Sequence, residues 1–227
     1  MTDIIYCADN EKYGQIAKEY IEVGTQLPNK VYFNDIYFAD QNWKKPNREE
    51  YLSLLKIHKP HLATVLDWER WDQRSEVLEW AEEASAFADV VIIIPKCSRS
   101  IAYLTDNGMK TINGKEVRLG YSVPTSHGGT DLFVGEFVGW PVHALGGSPK
   151  NQLELARYLD VQSADGNYIH QKIKHGQYFD GQRWIQLAKG GYTVQGKDIP
   201  ETILRLSFPN YVTAWDNLYQ RRVWSIK

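Results

Sequence analysis

Short apolar runs alternate with helical stretches from the N-terminus to Gly176, and this alternation constrains the fold more than any other feature of the chain. Asp3 to Ala8, Val31 to Ala39, His61 to Leu66, Val90 to Ile94, Val117 to Val123, Pro141 to Leu145 and Val161 to Ala164 read as strands, most of them dense in β-branched and aromatic residues. Between them, Asn10 caps a helix from Glu11 to Val23 that Gly24 ends, and Asn47 caps another through Ile57. Asp72 to Phe87 carries apolar residues at helical spacing, and Ser148-Pro149 opens a helix to about Tyr158. Strands joined through helices pair in parallel by right-handed crossovers, and about seven such strands approach the eight of a closed barrel. The spacing predicts an α/β protein with a TIM-like (β/α) barrel, compact or partly irregular. Past Gly176, Asp180-Gly181 marks a hairpin within Gln177 to Leu187, and Ile199 to Tyr219 reads as a terminal helix interrupted at Pro209. With no linker or repeat in 227 residues, residues 1–227 read as one domain.

The net charge of −2 excludes a generally basic nucleic-acid coat, though not a local basic groove. Only Cys7 and Cys97 are present, too few for a disulfide framework or a Cys-based zinc site, which fits a reducing cytoplasm. No apolar stretch approaches the ~18 residues needed to span a bilayer, and no secretory leader is visible, so neither membrane nor export is expected. Gly108 to Glu116 has the wrong spacing for a phosphate loop, and its Asn113-Gly114 reads instead as a tight turn into the next strand. His58 and His61 lie close in sequence without the further ligands a metal needs, so no metal or cofactor is expected.

In parallel α/β folds the active site lies at the carboxyl ends of the strands. Three acids follow apolar runs directly: Asp40, Asp67 and Asp165, with Asp9 a weaker fourth. Acids converging on one mouth repel one another and raise at least one pKa. That suits chemistry at a glycosidic carbon, where one carboxylate attacks and another acid protonates the leaving group. It also suits recognition of a purine edge, and any one of these Asp residues serves equally as a turn or cap. Gly146-Gly147-Ser148-Pro149 joins a strand to a helix, a place for close backbone approach by a ligand or simply a tight turn. Gly128-Gly129, after His127, begins a loop that is either a lid or a connection. Trp43, Trp68 and Tyr121 stand near strand ends, where they either stack on a base or pack the core. Lys44, Lys45 and Arg48, then Lys96 and Arg99, then Lys172 and Lys174, also follow strand ends; they either contact phosphates or form a solvated surface.

Val142-His143-Ala144-Leu145-Gly146-Gly147-Ser148-Pro149, the helix Gln152 to Leu159 and the run Asp160 to Gly166 resemble the late barrel segment of queuine tRNA-guanine transglycosylases. The chain looks closer still to the small transglycosylase-like proteins of phages and bacteria, some of which insert 7-deazaguanines into DNA. The likeness covers roughly Phe38 to Asn167. It implies Asp165 as nucleophile, Asp40 in acid–base work and base recognition, and Asp67 on the purine edge. Tyr121, Ser122, Gly146, Gly147, Ser148 and Asn167 would complete the substrate site. The zinc site of the tRNA enzymes has no counterpart among two Cys, and the base-contacting Gln of the family is absent from Gly120 to Thr125. The implied function is exchange of guanine for a 7-deazaguanine base, in DNA rather than tRNA. A base-releasing N-glycosidase and a non-catalytic nucleobase or nucleic-acid binding protein remain the alternatives. The implied partners are DNA or tRNA and a free 7-deazaguanine, with a homodimer or partner subunit open, in the cytoplasm (of the host, for a phage protein).

Overall fold

A computed structural model describes residues 2–8, 10–29, 31–125, 128–187 and 199–225; Asp9, Ser126 and His127 lie outside them. Eight parallel strands close a barrel in chain order: β1 (Asp3–Cys7), β2 (Glu22–Leu27), β3 (Phe38–Gln41), β4 (Leu62–Thr64), β5 (Val90–Ile93), then, past a short β6 (Thr111–Ile112), β7 (Lys115–Ser122), β8 (Pro141–Leu145) and β9 (Asp160–Gly166). β5 pairs directly with β7, and β9 returns to β1, so the sheet has no open parallel edge. β6 is an antiparallel flap on β7, turned by Asn113 and Gly114 at φ 51° and 77°, the tight turn expected of Asn-Gly.

The outer layer is uneven. Helices α1 (Glu11–Lys18), α2 (Arg48–His58), α3 (Arg74–Ala84), α4 (Ser100–Asp106), α5 (Pro149–Leu155) and α6 (Tyr168–Ile173) follow β1, β3, β4, β5, β8 and β9. Among the described residues no α-helix joins β2 to β3, and only a short 3-10 turn, Val134–Phe137, lies between β7 and β8. Asn10, Asn47 and Ser148 cap α1, α2 and α5, each side-chain oxygen accepting from a backbone N–H three residues on. The hairpin β10 (Gln177–Phe179) and β11 (Trp184–Gln186) and the helix α7 (Ile199–Ser225) then pack against α1, α5 and α6. No helix among the described residues is long and apolar enough to cross a membrane.

Strand alternation separates two cores. Ile5, Phe38, Leu62, Val90, Ile92 and Ile94 fill the barrel interior, and a larger shell of Val, Leu, Ile and aromatic residues lies between barrel and helices. α7 contributes Ile203, Leu204, Phe208, Tyr211 and Trp215 to that shell.

Three expectations from the sequence are corrected. α1 stops at Lys18, and Glu22–Leu27 is a strand rather than the end of a helix to Val23. Gly24 belongs there because a Cβ on it would meet Phe38 Cδ1 at 2.7 Å; the residue makes room for the ring of its partner on the neighbouring strand and ends nothing. The run from Val31 is strand only from Phe38 onward; Phe33 and Ile36 are buried as loop residues, so its apolar content packs the outer shell without pairing. The eighth strand is thus β2. Finally, α7 runs through Pro209. Burial of Leu204, Phe208, Tyr211 and Trp215 on either side offsets the ~3 kcal/mol that an interior proline costs.

Candidate active site at the barrel mouth

The same alternation that sends Ile5, Phe38 and Leu62 inward sends Cys7, Asp40 and Thr64 inward one step nearer the carboxyl ends. Asp165 on β9 and Gln26 on β2 join them. The register sets Gln26 beside Asp40, and Leu145 beside Asp165. A polar layer therefore caps the apolar interior at the mouth, where parallel barrels carry their chemistry.

Asp165 is buried, 8% exposed, and donors surround it. Oδ1 accepts from the Gly146 backbone N–H and from His143 Nε2, each at 3.2 Å, and Oδ2 accepts from the Cys7 thiol at 3.1 Å. With a carboxylate as acceptor, His143 carries its proton on Nε2, so Nδ1 accepts from the Ser163 hydroxyl at 2.7 Å. His143 is fully buried, its ring 5.0 Å from that of Phe38. Gly146 can present its N–H because Gly146 and Gly147 turn at φ 65° and 79°, which side chains disfavour. Gln152 of α5 locks this turn: its Nε2 donates to Gly146 O and to Asp165 O, both at 2.7 Å, and the Tyr211 hydroxyl of α7 donates to its Oε1. Behind the turn, a narrow cleft is lined by Tyr6, Gly147, Gln152, Gly166, Phe208 and Tyr211.

Asp40 sits in a poorer environment. Thr64 Oγ1 donates to Oδ1 at 2.9 Å and Gln26 Nε2 to Oδ2 at 3.3 Å. Burial, and then the charge of Asp165, push its carboxyl up to about 7. Cys7 feels the same field: burial and the neighbouring Asp165 hold its thiol well above the ordinary range, so it is a neutral donor. The acids near the carboxyl ends of β3 and β9 thus share one site, with unlike surroundings.

Asp67 reaches the same mouth, and its charge also bears on Asp40. Its partner is Lys96, with Nζ 2.5 Å from Oδ2. Burial pushes Asp67 up against the pull of that lysine.

Other expected site residues are distributed unevenly. Ser122 has the inward parity of Gly120, but Tyr121 has the opposite one; its ring packs on Phe137 at 5.0 Å in the outer shell, which removes it from the base site. Ser148 is spent capping α5, and Asn167 is exposed and accepts from Gln171. Trp68 is fully buried against Trp71, whereas Trp43 is 49% exposed under Lys44. Among the basic residues, Arg48 is tied to Glu79 and Glu83 of α3, and Lys96 to Asp67, so neither stands free at the rim for a phosphate. Lys172 lies over the rings of Tyr168 and Trp184, and Lys174 is at the far end of α6. Lys44, Lys45 and Arg99 remain exposed on the loops after β3 and β5.

Sequence reasoning missed Cys7, Gln26, Thr64, His143, Ser163 and Gln152. For Thr64 and His143 a signal existed: each is a polar residue inside an otherwise apolar strand, two positions from an inward neighbour. Among the described residues no cluster of metal-ligating side chains occurs.

Fold and mouth together define an α/β barrel with three sheltered acids gathered at the carboxyl ends of its strands. The chain belongs to a family described as of unknown function, DUF6610, which matches residues 22–215, from β2 to the middle of α7. No curated protein matches the sequence.

Proposed function

We propose that the protein is a nucleic-acid guanine transglycosylase that exchanges guanine for a 7-deazaguanine base, acting on DNA. The observation that carries this reading is the pair Asp165 and Asp40, a buried and a half-buried carboxyl group at one barrel mouth with different hydrogen-bond environments. Base exchange needs such a pair, because one group must attack and the other must give a proton and later take one back.

In this mechanism Asp165 attacks C1′ through Oδ2. Oδ1 is occupied by two nitrogen donors, while among the described residues Oδ2 has only the weak thiol of Cys7. The C1′–N bond breaks, its electron pair leaves with the guanine, and Asp40 supplies the proton. A sugar ester on Asp165 results. The incoming base then loses its ring proton to Asp40, its nitrogen attacks C1′, and Asp165 is released. A donor that must work in both directions is best poised near the working pH, and about 7 meets that need. Exposed Trp43 and Lys44 beside the Asp40 strand offer a stacking face for the unstacked nucleotide.

Phosphate contacts fall to Lys44, Lys45 and Arg99. If about three phosphates of duplex DNA are contacted, log K falls with log salt at a slope near −2.7. The decisive experiment incubates the protein with DNA or tRNA and a labelled 7-deazaguanine, and follows base incorporation and protein mass. Incorporation with a transient sugar adduct on Asp165 supports exchange. Free guanine without incorporation converts the reading to hydrolysis. Neither product nor adduct removes the enzymatic reading.

A further inference from the structure

Asp67 and Lys96 leave consecutive barrel strands and meet at the mouth. The backbone holds them in register: the Trp68 N–H donates to Ile94 O at 2.9 Å and the Lys96 N–H to Trp68 O at 3.0 Å. Their side chains are 13% and 20% exposed, sheltered yet reachable. Lys96 Nζ bonds Asp67 Oδ2, which leaves Oδ1 and two ammonium hydrogens without partners among the described residues. A buried ion pair is costly unless further hydrogen bonds complete it. This one is half complete, and it offers an acceptor next to a donor, close enough to Asp40 for the charge of Asp67 to bear on it.

We propose that Lys96 and Asp67 together read a ring edge on which a carbonyl adjoins an N–H, with Lys96 donating to the oxygen and Asp67 accepting from the nitrogen. The inference rests on the base-exchange reading and gives Lys96 the role of a specificity-determining residue. The ligands it fits are 6-oxopurines and their 7-deaza counterparts. A 6-aminopurine presents the reverse order, a bare ring nitrogen toward Asp67 and an amino group toward Lys96. It cannot turn over to correct the mismatch, because its glycosidic nitrogen must face Asp165. Leaving both members of a buried charged pair unmatched is a strong form of rejection.

Hypoxanthine and unsubstituted purine separate this edge from everything else on the base, since neither carries a 2-amino group. Calorimetry on the wild-type protein should show hypoxanthine binding roughly ten- to a hundredfold tighter than purine. Lys96→Met should cut that preference severalfold, to what the Asp67 contact alone supplies, with little change for purine. Circular dichroism checks the fold of the variant; where loss of Lys96 alone unfolds the chain, the double variant Asp67→Asn/Lys96→Met removes the stranded charge and is scored in the same way. Equal binding of the two bases by the wild type, or a preference undiminished in the variant, overturns the role of Lys96 and leaves the exchange reading standing. A wild type that binds neither of these bases nor guanine overturns the base pocket, and this inference with it.

Discussion

The two ends of the barrel interior handle buried charge in opposite ways. Toward the amino ends of the strands, Arg118 is 7% exposed and lies between Glu116 at 2.9 Å and Asp3 at 3.2 Å. At the carboxyl ends, Asp40, Asp67 and Asp165 have one cation, Lys96, among them in the described residues. A dry layer of Ile5, Phe38, Leu62 and Ile92 separates the two. At the lower end the cation is answered by its neighbours, as a structural plug requires. The upper end keeps uncompensated acid, which costs stability and has meaning only if something else completes it.

If that contrast is right, substitutions at the two ends fail differently. The largest effect belongs to Asp165→Asn. The amide still accepts from Gly146 but forms no ester, so base exchange should fall by on the order of a thousandfold or more while the melting temperature holds. An unchanged exchange rate removes Asp165 as nucleophile; an unfolded variant makes the upper end structural after all.

The pH dependence of stability comes next. Asp40 is held near 7 in the folded protein against an ordinary 3.8, so the native state binds the extra proton between those values. Stability is greatest while Asp40 is protonated and is lost as pH rises toward and through about 7, by at most roughly 4 kcal/mol. Asp67, also raised by burial, acts in the same direction. Asp40→Asn should flatten the decline between pH 4 and 7, read by denaturant unfolding. A wild type equally stable at pH 5 and pH 8 means that neither burial nor the charge of Asp165 raises the Asp40 carboxyl in the folded protein.

Arg118→Met tests the other end. It leaves Asp3 and Glu116 facing each other without their cation. Breaking a fully buried pair costs about 3–5 kcal/mol, and since these partners are 29% and 44% exposed we expect about 2–3. Exchange per folded molecule should not change. A loss of activity without loss of stability would make the lower end functional and dissolve the comparison.

The upper end was legible in the sequence where it depended on strand ends. Asp40, Asp67 and Asp165 each close an apolar run, and a parallel barrel converts that position into convergence. Facing direction was less legible. Tyr121 sits at a strand end too, but one residue of parity turns it onto Phe137. Gln26 was hidden because Tyr13, Ile16, Ala17 and Val23 sustain a helical pattern into β2, and only the approach of Phe38 explains Gly24. Lys96 was visible as a charge near a strand end; that its partner is Asp67 depends on β4 and β5 being neighbours, a fact of closure rather than of local pattern.

The smallest expected effect lies at Cys7, and it probes the division of labour between the oxygens of Asp165. The thiol is neutral, held there by burial and by Asp165, so it neither attacks nor accepts a proton at neutral pH. Its one contribution is a weak S–H donor on Oδ2 at 3.1 Å, on the side opposite His143 and Gly146. Removing a weak donor from an attacking oxygen costs orientation but frees a lone pair. Cys7→Ala should therefore change the exchange rate by no more than about threefold, under ~1 kcal/mol. His143→Gln, which disturbs the donors on Oδ1, should do more damage than Cys7→Ala when the two are assayed side by side. The reverse order would mean that Oδ1 is the attacking oxygen and that the thiol, not the imidazole, holds the carboxylate in place.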